Sequence, residues 1–385
     1  MSDFLVFVYT DCIWVLYLGL FLLYYKGYKR INGFERIFWI FFKSYLSNRS
    51  QYCHINGIES KVKSIKYGVP QGSILGPLLF IIYMNDLPQY VKDANITMYA
   101  DDTSLYKSFN SISQLNEQLI PSFCKVCEWL KSNKLSLNTV KTEFMIIGTR
   151  HKLNKLDILP ECTPYLIKMN DFEIKRAKVV KYLGLMIDDN LTWDKHIKYI
   201  SGKIKRNIGV IKRVRSFIPQ ESLITLYQTM IEPYFRYCNI VWGGCNETLK
   251  DKLQVLQNRA ARAIKNVKYE IADHKLLLNE LGWLNIRNLI KLDLGSFIYK
   301  TQNNLIPCEI NDYFVSTSEV HSYQTRSSTN RNFYLPRAKT VNLGKSTYYS
   351  ASKLWNDIPK NIRDAQSLDC FKDKLKTYLK YQQNE

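Results

Sequence analysis

Two adjacent carboxylates, Asp101 and Asp102, fall between two short runs that read as strands, so residues 96–106 are expected to form a hairpin with its turn near the pair. Side by side in a turn, two carboxylates repel each other unless water screens them or a cation joins them. Turns favour Asp in any case, and an Asp pair standing alone is an ordinary solvated turn. The other reading is a hard cation. Mg²⁺ takes carboxylate oxygens, and two-metal phosphoryl transfer holds its ions about 4 Å apart on such groups.

The chain has 385 residues, enough for two or three domains, and is 46% hydrophobic, so it can bury a core. With 54 basic against 34 acidic residues its net charge is +20, which favours polyanions: nucleic acid or an anionic membrane surface. Nine cysteines without a pairing framework read as reduced thiols of an intracellular chain. Cys124 and Cys127 have C-x-x-C spacing, but a zinc site needs four ligands and no second pair follows. They read as one turn of an amphipathic helix.

The N-terminus is almost wholly apolar from Phe4 to Tyr25, broken by Thr10, Asp11 and Cys12. About 20 apolar residues is a membrane-spanning length, and Lys26, Lys29 and Arg30 suit a cytoplasmic flank. Asp11 within the span opposes that reading at about 3 kcal/mol. A buried core segment, or sequence foreign to the fold that follows, are the alternatives.

Further along, residues 34–46 read as a helix, residues 51–56 and 62–67 as strands around the turn Gly57-Ile58-Glu59, and residues 73–84 as an apolar helix. Residues 112–132 carry Leu115, Leu119, Phe123, Val126 and Leu130 at helical spacing. Residues 144–147 and 179–187 read as strands, the second with Gly184 inside it. From Trp193 the isoleucines at 197, 200, 204, 208 and 211 form an amphipathic stripe. Its other face holds Lys203, Lys205, Arg206, Lys212, Arg213 and Arg215, either to track a phosphate backbone or as a solvated helix side. Residues 249–264 read as a second helix. Beyond about Asn304 the pattern weakens until a last helix over 367–381.

Upstream of the Asp pair lies Gly68-Val69-Pro70-Gln71-Gly72-Ser73, just before the apolar helix. Gly72 permits close backbone approach, Gln71 offers a donor and an acceptor, and Ser73 can cap the helix. The stretch YGVPQGSILGPLLFIIYMNDLP (67–88), followed by YADD (99–102), resembles the palm of a reverse transcriptase, in the version of jockey-type non-LTR retrotransposons. LSLNTVKT (135–142) is similar to the next palm motif, and VKYLGLMI (180–187) to the primer-grip hairpin. LQVLQNRAARAI (253–264) and Leu354-Trp355-Asn356 with Ile358-Pro359 resemble the family's C-terminal region.

That resemblance implies an α/β (α+β) palm over 33–190, a helical thumb or connection over 191–300, and a mixed, helix-rich basic and aromatic region over 301–385. It implies RNA-directed DNA polymerisation on an RNA template and DNA primer with dNTP, using two Mg²⁺ ions held by Asp101 and Asp102. Gln71, Gly72, Tyr99 and Ala100 would line the nucleotide and template pocket. Lys141 would sit near the incoming phosphates, and Leu183 and Gly184 would hold the primer end. The family also places a carboxylate about two dozen residues before the FKSYL segment (42–46); counting back lands near Leu18, where no acid stands, and Asp11 lies several residues too early. Residues 1–32 are therefore expected to be foreign to the ancestral fold, and the chain to be a truncated, inactive polymerase. Its rivals are a remnant that only binds nucleic acid and a membrane-anchored scaffold.

Overall fold

The computed structural model describes residues 4–13, 33–65, 68–69, 72–111, 114–158, 166–169, 172–320, 331–338 and 340–384. The chain divides into two compact units, Met1–Tyr182 with Asp188–Leu191, and Leu183–Ile187 with Thr192–Glu385.

The first unit is built on an antiparallel sheet. Its strands are β1 (Phe4–Ile13), β2 (Asn95–Tyr99), β3 (Asp102–Phe109), β4 (Ser136–Leu137) and β5 (Glu143–Ile147). Across the sheet the order is β2, β3, β1, β5, with β4 continuing the β5 side along the far end of β1. Phe4 stands opposite Phe109 and the register runs on to Asp11 opposite Asp102. On the other side Leu5 faces Ile147 and Tyr9 faces Glu143.

Over Phe4–Ile13 the structure therefore departs from the expectation of a segment outside the fold, and from a membrane helix. These residues are the central strand, and without them β3 and β5 would each present an unpaired edge. The physical reason is that a strand in a sheet covered on both faces, as the neighbouring strands β3 and β5 are, carries no polar alternation, so its apolar run imitates a membrane span. No helix among the described residues is long and apolar enough to cross a membrane. The remainder of the apolar run, residues 14–25, lies outside the described residues.

Against the sheet pack two helices, α2 (Leu75–Met84) and α3 (Ile120–Ser132); α1 (Gly33–Leu46) precedes them. Phe80 and Met84 of α2, Phe123, Val126 and Leu130 of α3, and Leu105, Phe144 and Ile146 of the sheet form one core. Each such side chain contributes roughly 1.5–3 kcal/mol on burial. Phe144, Met145 and Ile146 are all fully buried, so β5 is covered on both faces. The turn before α3 is a π-type widening over Leu115–Leu119, a departure from the continuous helix expected there. The hairpin expected around Gly57 turns one residue earlier: Asn56 and Gly57 both have positive φ, the pair a tight two-residue turn requires.

The second unit is helical. Its long helices are α4 (Asp194–Val214), α5 (Gln220–Met230), α6 (Glu247–Lys265), α7 (Ile286–Gln302), α8 (Thr347–Asp357) and α9 (Leu368–Asn384). The isoleucine stripe of α4 (Ile197, Ile200, Ile204, Ile208 and Ile211) is buried as its spacing requires, in one core with Leu249, Leu253, Leu256 and Ala260 of α6. Tyr227 of α5 stacks on Trp283 at 3.7 Å between centroids and 13° between planes. Residues 301–385 do not form a separate body: α8 and α9 pack on α7 and share its core. At Gly295 of α7 a Cβ would lie 2.5 Å from Leu375 Cδ2 of α9, so a larger residue there would have to displace that buried leucine side chain.

The LWN segment has a structural role. The Asn356 side-chain amide donates to the Phe333 carbonyl at 2.9 Å and its oxygen accepts the Phe333 N–H at 3.0 Å. The Trp355 indole N–H donates to the Arg331 carbonyl at 3.2 Å. Two side chains thus fasten an extended segment as a neighbouring strand would. Trp355 is buried beside Phe333 and Phe371, so it has no open face for a base. Tyr323 and Arg326 lie outside the described residues.

Candidate active site

The β2–β3 hairpin turns through Ala100 and Asp101, because Tyr99 pairs with Asp102. Ala100 takes φ 54°, an unusual conformation for a residue with a Cβ, and the tight two-residue turn imposes it. Tyr99 is exposed, whereas Asp101 and Asp102 are half-buried. Behind them Thr103, Ser104 and Leu105 are buried in succession, so both faces of the sheet are covered at this end. The pair thus sits at the rim of a packed sheet, a different setting from a free surface loop.

The register brings two further residues to the same end. Asp11 on β1 stands directly across from Asp102. On the opposite side of β1, Cys12 faces Leu137 and Tyr9 faces Glu143. The connection over residues 138–142, with Lys141 exposed in its turn, therefore runs alongside β1 at the level of Asp11. Asn138 organises that turn: its carbonyl accepts the Lys141 N–H at 3.1 Å and the Thr142 hydroxyl at 2.8 Å. Glu143, next to it, has its carboxyl pushed up by burial. Spacing along the chain puts Asp11 more than two dozen residues before Phe42, too far for the family's pattern, and it is the strand register that aligns Asp11 with Asp102. Among the described residues no three His, Cys, Asp or Glu side chains are grouped to hold a metal ion. Asp11 enters by its backbone register alone.

Gln71 lies outside the described residues. Gly72 has φ +81° with open space where a Cβ would project, a backbone conformation that favours glycine. The Ser73 hydroxyl accepts the Gly76 N–H at 3.1 Å, the local cap expected of it, and receives the Tyr45 hydroxyl at 2.6 Å.

In the second unit, Leu183 and Gly184 form a turn with φ 43° and 82°. The single strand read over 179–187 is thus two, β6 (Val179–Tyr182) and β7 (Leu185–Asp188), joined by that turn. The Tyr237 hydroxyl donates to the Leu183 carbonyl at 2.7 Å, and its ring would meet a Cβ on Gly184 at 3.4 Å. One step on, the Met186 N–H donates to His196 Nδ1 at 3.4 Å. The His196 ring lies 5.9 Å from Trp242, whose indole N–H donates to the Tyr237 carbonyl at 2.9 Å. Tyr237, Trp242 and His196 therefore form a continuous support under the turn, which sequence patterning did not show.

His196 carries a pH prediction. Burial lowers its pKa from 6.5 to about 4. The folded state binds this proton less well than the unfolded chain, so the stabilisation is complete above pH 6.5 and is lost as the pH falls through 6.5 towards 4. The loss is on the order of 3 kcal/mol. Urea denaturation of the wild-type chain at pH 7.5 and 4.5 is expected to show a larger fall than that of His196→Asn. Equal falls would remove His196 as the cause.

Of the basic residues on α4, Lys205, Arg206, Lys212 and Arg213 are exposed and Lys203 is half-buried with its ammonium 5.6 Å from the Tyr199 ring centroid. None of the five makes an ion pair among the described residues. Cys124 and Cys127 lie three residues apart on α3 and form no disulfide.

Residues 24–187 match the reverse transcriptase (RNA-dependent DNA polymerase) family, a stretch that begins after β1. The chain is 30% identical over 242 residues to a probable RNA-directed DNA polymerase from transposon BS of Drosophila melanogaster, covering 60% of this chain and 26% of that protein. It is 26% identical to the probable RNA-directed DNA polymerase from transposon X-element of the same species, over 61% of this chain and 25% of the relative. Identity to the RNA-directed DNA polymerase from mobile element jockey of that species is 24%, over 63% and 26% respectively. The chain thus spans about a quarter of the length of the curated relatives it matches. The matched domain and these relatives together support a jockey-like reverse transcriptase.

Proposed function

We propose that this chain carries the polymerising centre of an RNA-directed DNA polymerase. The observation that carries the reading is the register that sets Asp11 across from Asp102, with the Lys141 turn on the other side of β1. Asp11, Asp101 and Asp102 are all hard oxygen donors, the set that Mg²⁺ prefers, so the residues fit the ion the family implies. When bound, Mg²⁺ would stabilise the attacking and leaving oxygens of the displacement.

In that reading the primer 3′-OH attacks the α-phosphate of a dNTP paired to an RNA template, and pyrophosphate leaves. Lys141 gives the leaving pyrophosphate a positive neighbour and a proton. Gly72 and Gln71, with Tyr99 and Ala100, line the nucleotide and template pocket. The turn at Leu183 and Gly184 holds the primer end, and Tyr237 positions that turn. The first unit is the palm and α4 belongs to the thumb, its basic face following the phosphate backbone. Positioning and charge stabilisation do most of the work in such transfers.

The test is primer extension by the purified chain on an RNA template with Mg²⁺, beside a chain carrying both Asp101→Ala and Asp102→Ala. Extension by the first and none by the second is expected. Template–primer binding by both without extension would support the inactive remnant and overturn the polymerase reading.

A further inference from the structure

The second unit holds a cleft of about 670 Å³ made of none of the residues placed in the candidate active site. Its walls come from three places: residues 243–247 leading into α6, the flank of α7, and residues 344–357 through α8. They are fastened to one another. At Gly244 a Cβ would stand 2.1 Å from the Lys345 carbonyl, so two backbones touch there. The Thr347 hydroxyl donates to the Ile240 carbonyl at 2.7 Å, and the Lys345 ammonium donates to the Asn246 side chain. The cleft is shaped before any ligand arrives, which lowers the ordering cost of binding.

Its charge is unbalanced. Lys250, Arg287, Lys291, Lys345 and Lys353 line it, against Glu247 and Asp357. Glu247 is engaged by Lys250 at 2.7 Å and Arg287 at 2.8 Å, and Arg287 is further held by Asp251 at 2.6 Å. Lys291, Lys345 and Lys353 make no ion pair among the described residues, and all three are exposed. A volume of this size with three uncompensated ammonium groups from separate elements suits an extended anion better than a single phosphate. Tyr349, half-buried on the same wall, offers a surface for a base.

We infer that this cleft binds the phosphate backbone of single-stranded RNA, at a place separate from the carboxylate site. The cationic cleft stands on its own geometry; the choice of RNA over DNA rests on the polymerase reading. The site would hold a length of RNA on the C-terminal unit independently of nucleotide addition.

Fluorescence anisotropy of the full chain with a labelled, unstructured RNA of about 20 nucleotides, over a salt series, tests this. The pair Lys291→Ala with Lys353→Ala is expected to weaken binding roughly tenfold and to reduce the log–log salt slope by about 1.4, at ~0.7 per lost single-strand contact. Arginine at both positions should restore the slope, and bound RNA should shield both lysines from acetylation. Unchanged affinity and slope, or equal acetylation with and without RNA, would overturn the site. Equal binding of a DNA strand through the same lysines would overturn the choice of RNA. Since nothing is polymerised in this assay, failure of primer extension leaves its result readable.

Discussion

Asp11→Asn is expected to lower primer extension by about 10²–10³ or more, the loss typical of removing one preorganised charge-stabilising group, with template–primer affinity within about twofold. Asparagine keeps the size and strand position and removes the charge. With Asp101 and Asp102 alone, two divalent ions would share too little negative charge, and their mutual repulsion would be poorly offset. Asp93→Asn serves as the control, because Asp93 forms an exposed pair with Lys125 that contributes little beyond its surface. If Asp11→Asn extends at wild-type rate while Asp102→Asn is dead, Asp11 is not the upstream carboxylate. The expectation that this ligand is missing would then stand.

Trp355→Ala is expected to destabilise the second unit by about 3–5 kcal/mol, the range for deleting a large buried aromatic. Its indole lies 6.2 Å from the Phe333 ring and 6.1 Å from that of Phe371, with the Arg363 guanidinium 5.7 Å from the ring centroid. Truncation also removes the donor to the Arg331 carbonyl. Asn356→Ala should cost less, about 2–3 kcal/mol, by leaving both the N–H and the carbonyl of Phe333 without their partner. Urea unfolding followed by circular dichroism reads both. A Trp355→Ala chain of wild-type stability that had lost RNA affinity would reverse the assignment and make Trp355 a base-stacking residue.

Legibility from sequence followed the range of the forces. The isoleucine stripe of α4 and the leucines of α6 announce their buried faces, since a helix buries residues three and four apart along its own length. The hairpin before Asp102 was readable for the same local reason, to within one residue of its turn. Strand β1 was not, because its partners β3 and β5 lie about a hundred residues or more downstream and its apolar run has no period. Asp11 was lost with it: spacing compared along the chain cannot replace register across a sheet. The helices Val341–Lys345, Thr347–Asp357 and Lys360–Arg363 were hidden for another reason. Their sequences are rich in Ser, Asn, Lys and Tyr, and their placement depends on Asn356 and Trp355 bonding to backbone more than twenty residues away.

The path of the chain between the two units bears on how such proteins can be exchanged or divided. Leu183–Ile187 belongs to the second unit, with Leu185 in its core, yet Asp188–Leu191 returns to the first. There the Asp189 carbonyl accepts the Gly148 N–H at 3.0 Å, and the Asp189 N–H donates to Lys178. A break after Tyr182 would strip the first unit of its returning segment, and a break after Leu191 would strip the second of Leu185. No single crossover between two related genes separates the units cleanly. Recombination would have to pass them on as one inherited block, and of two fragments made by one cut at least one would carry a piece of the other's unit.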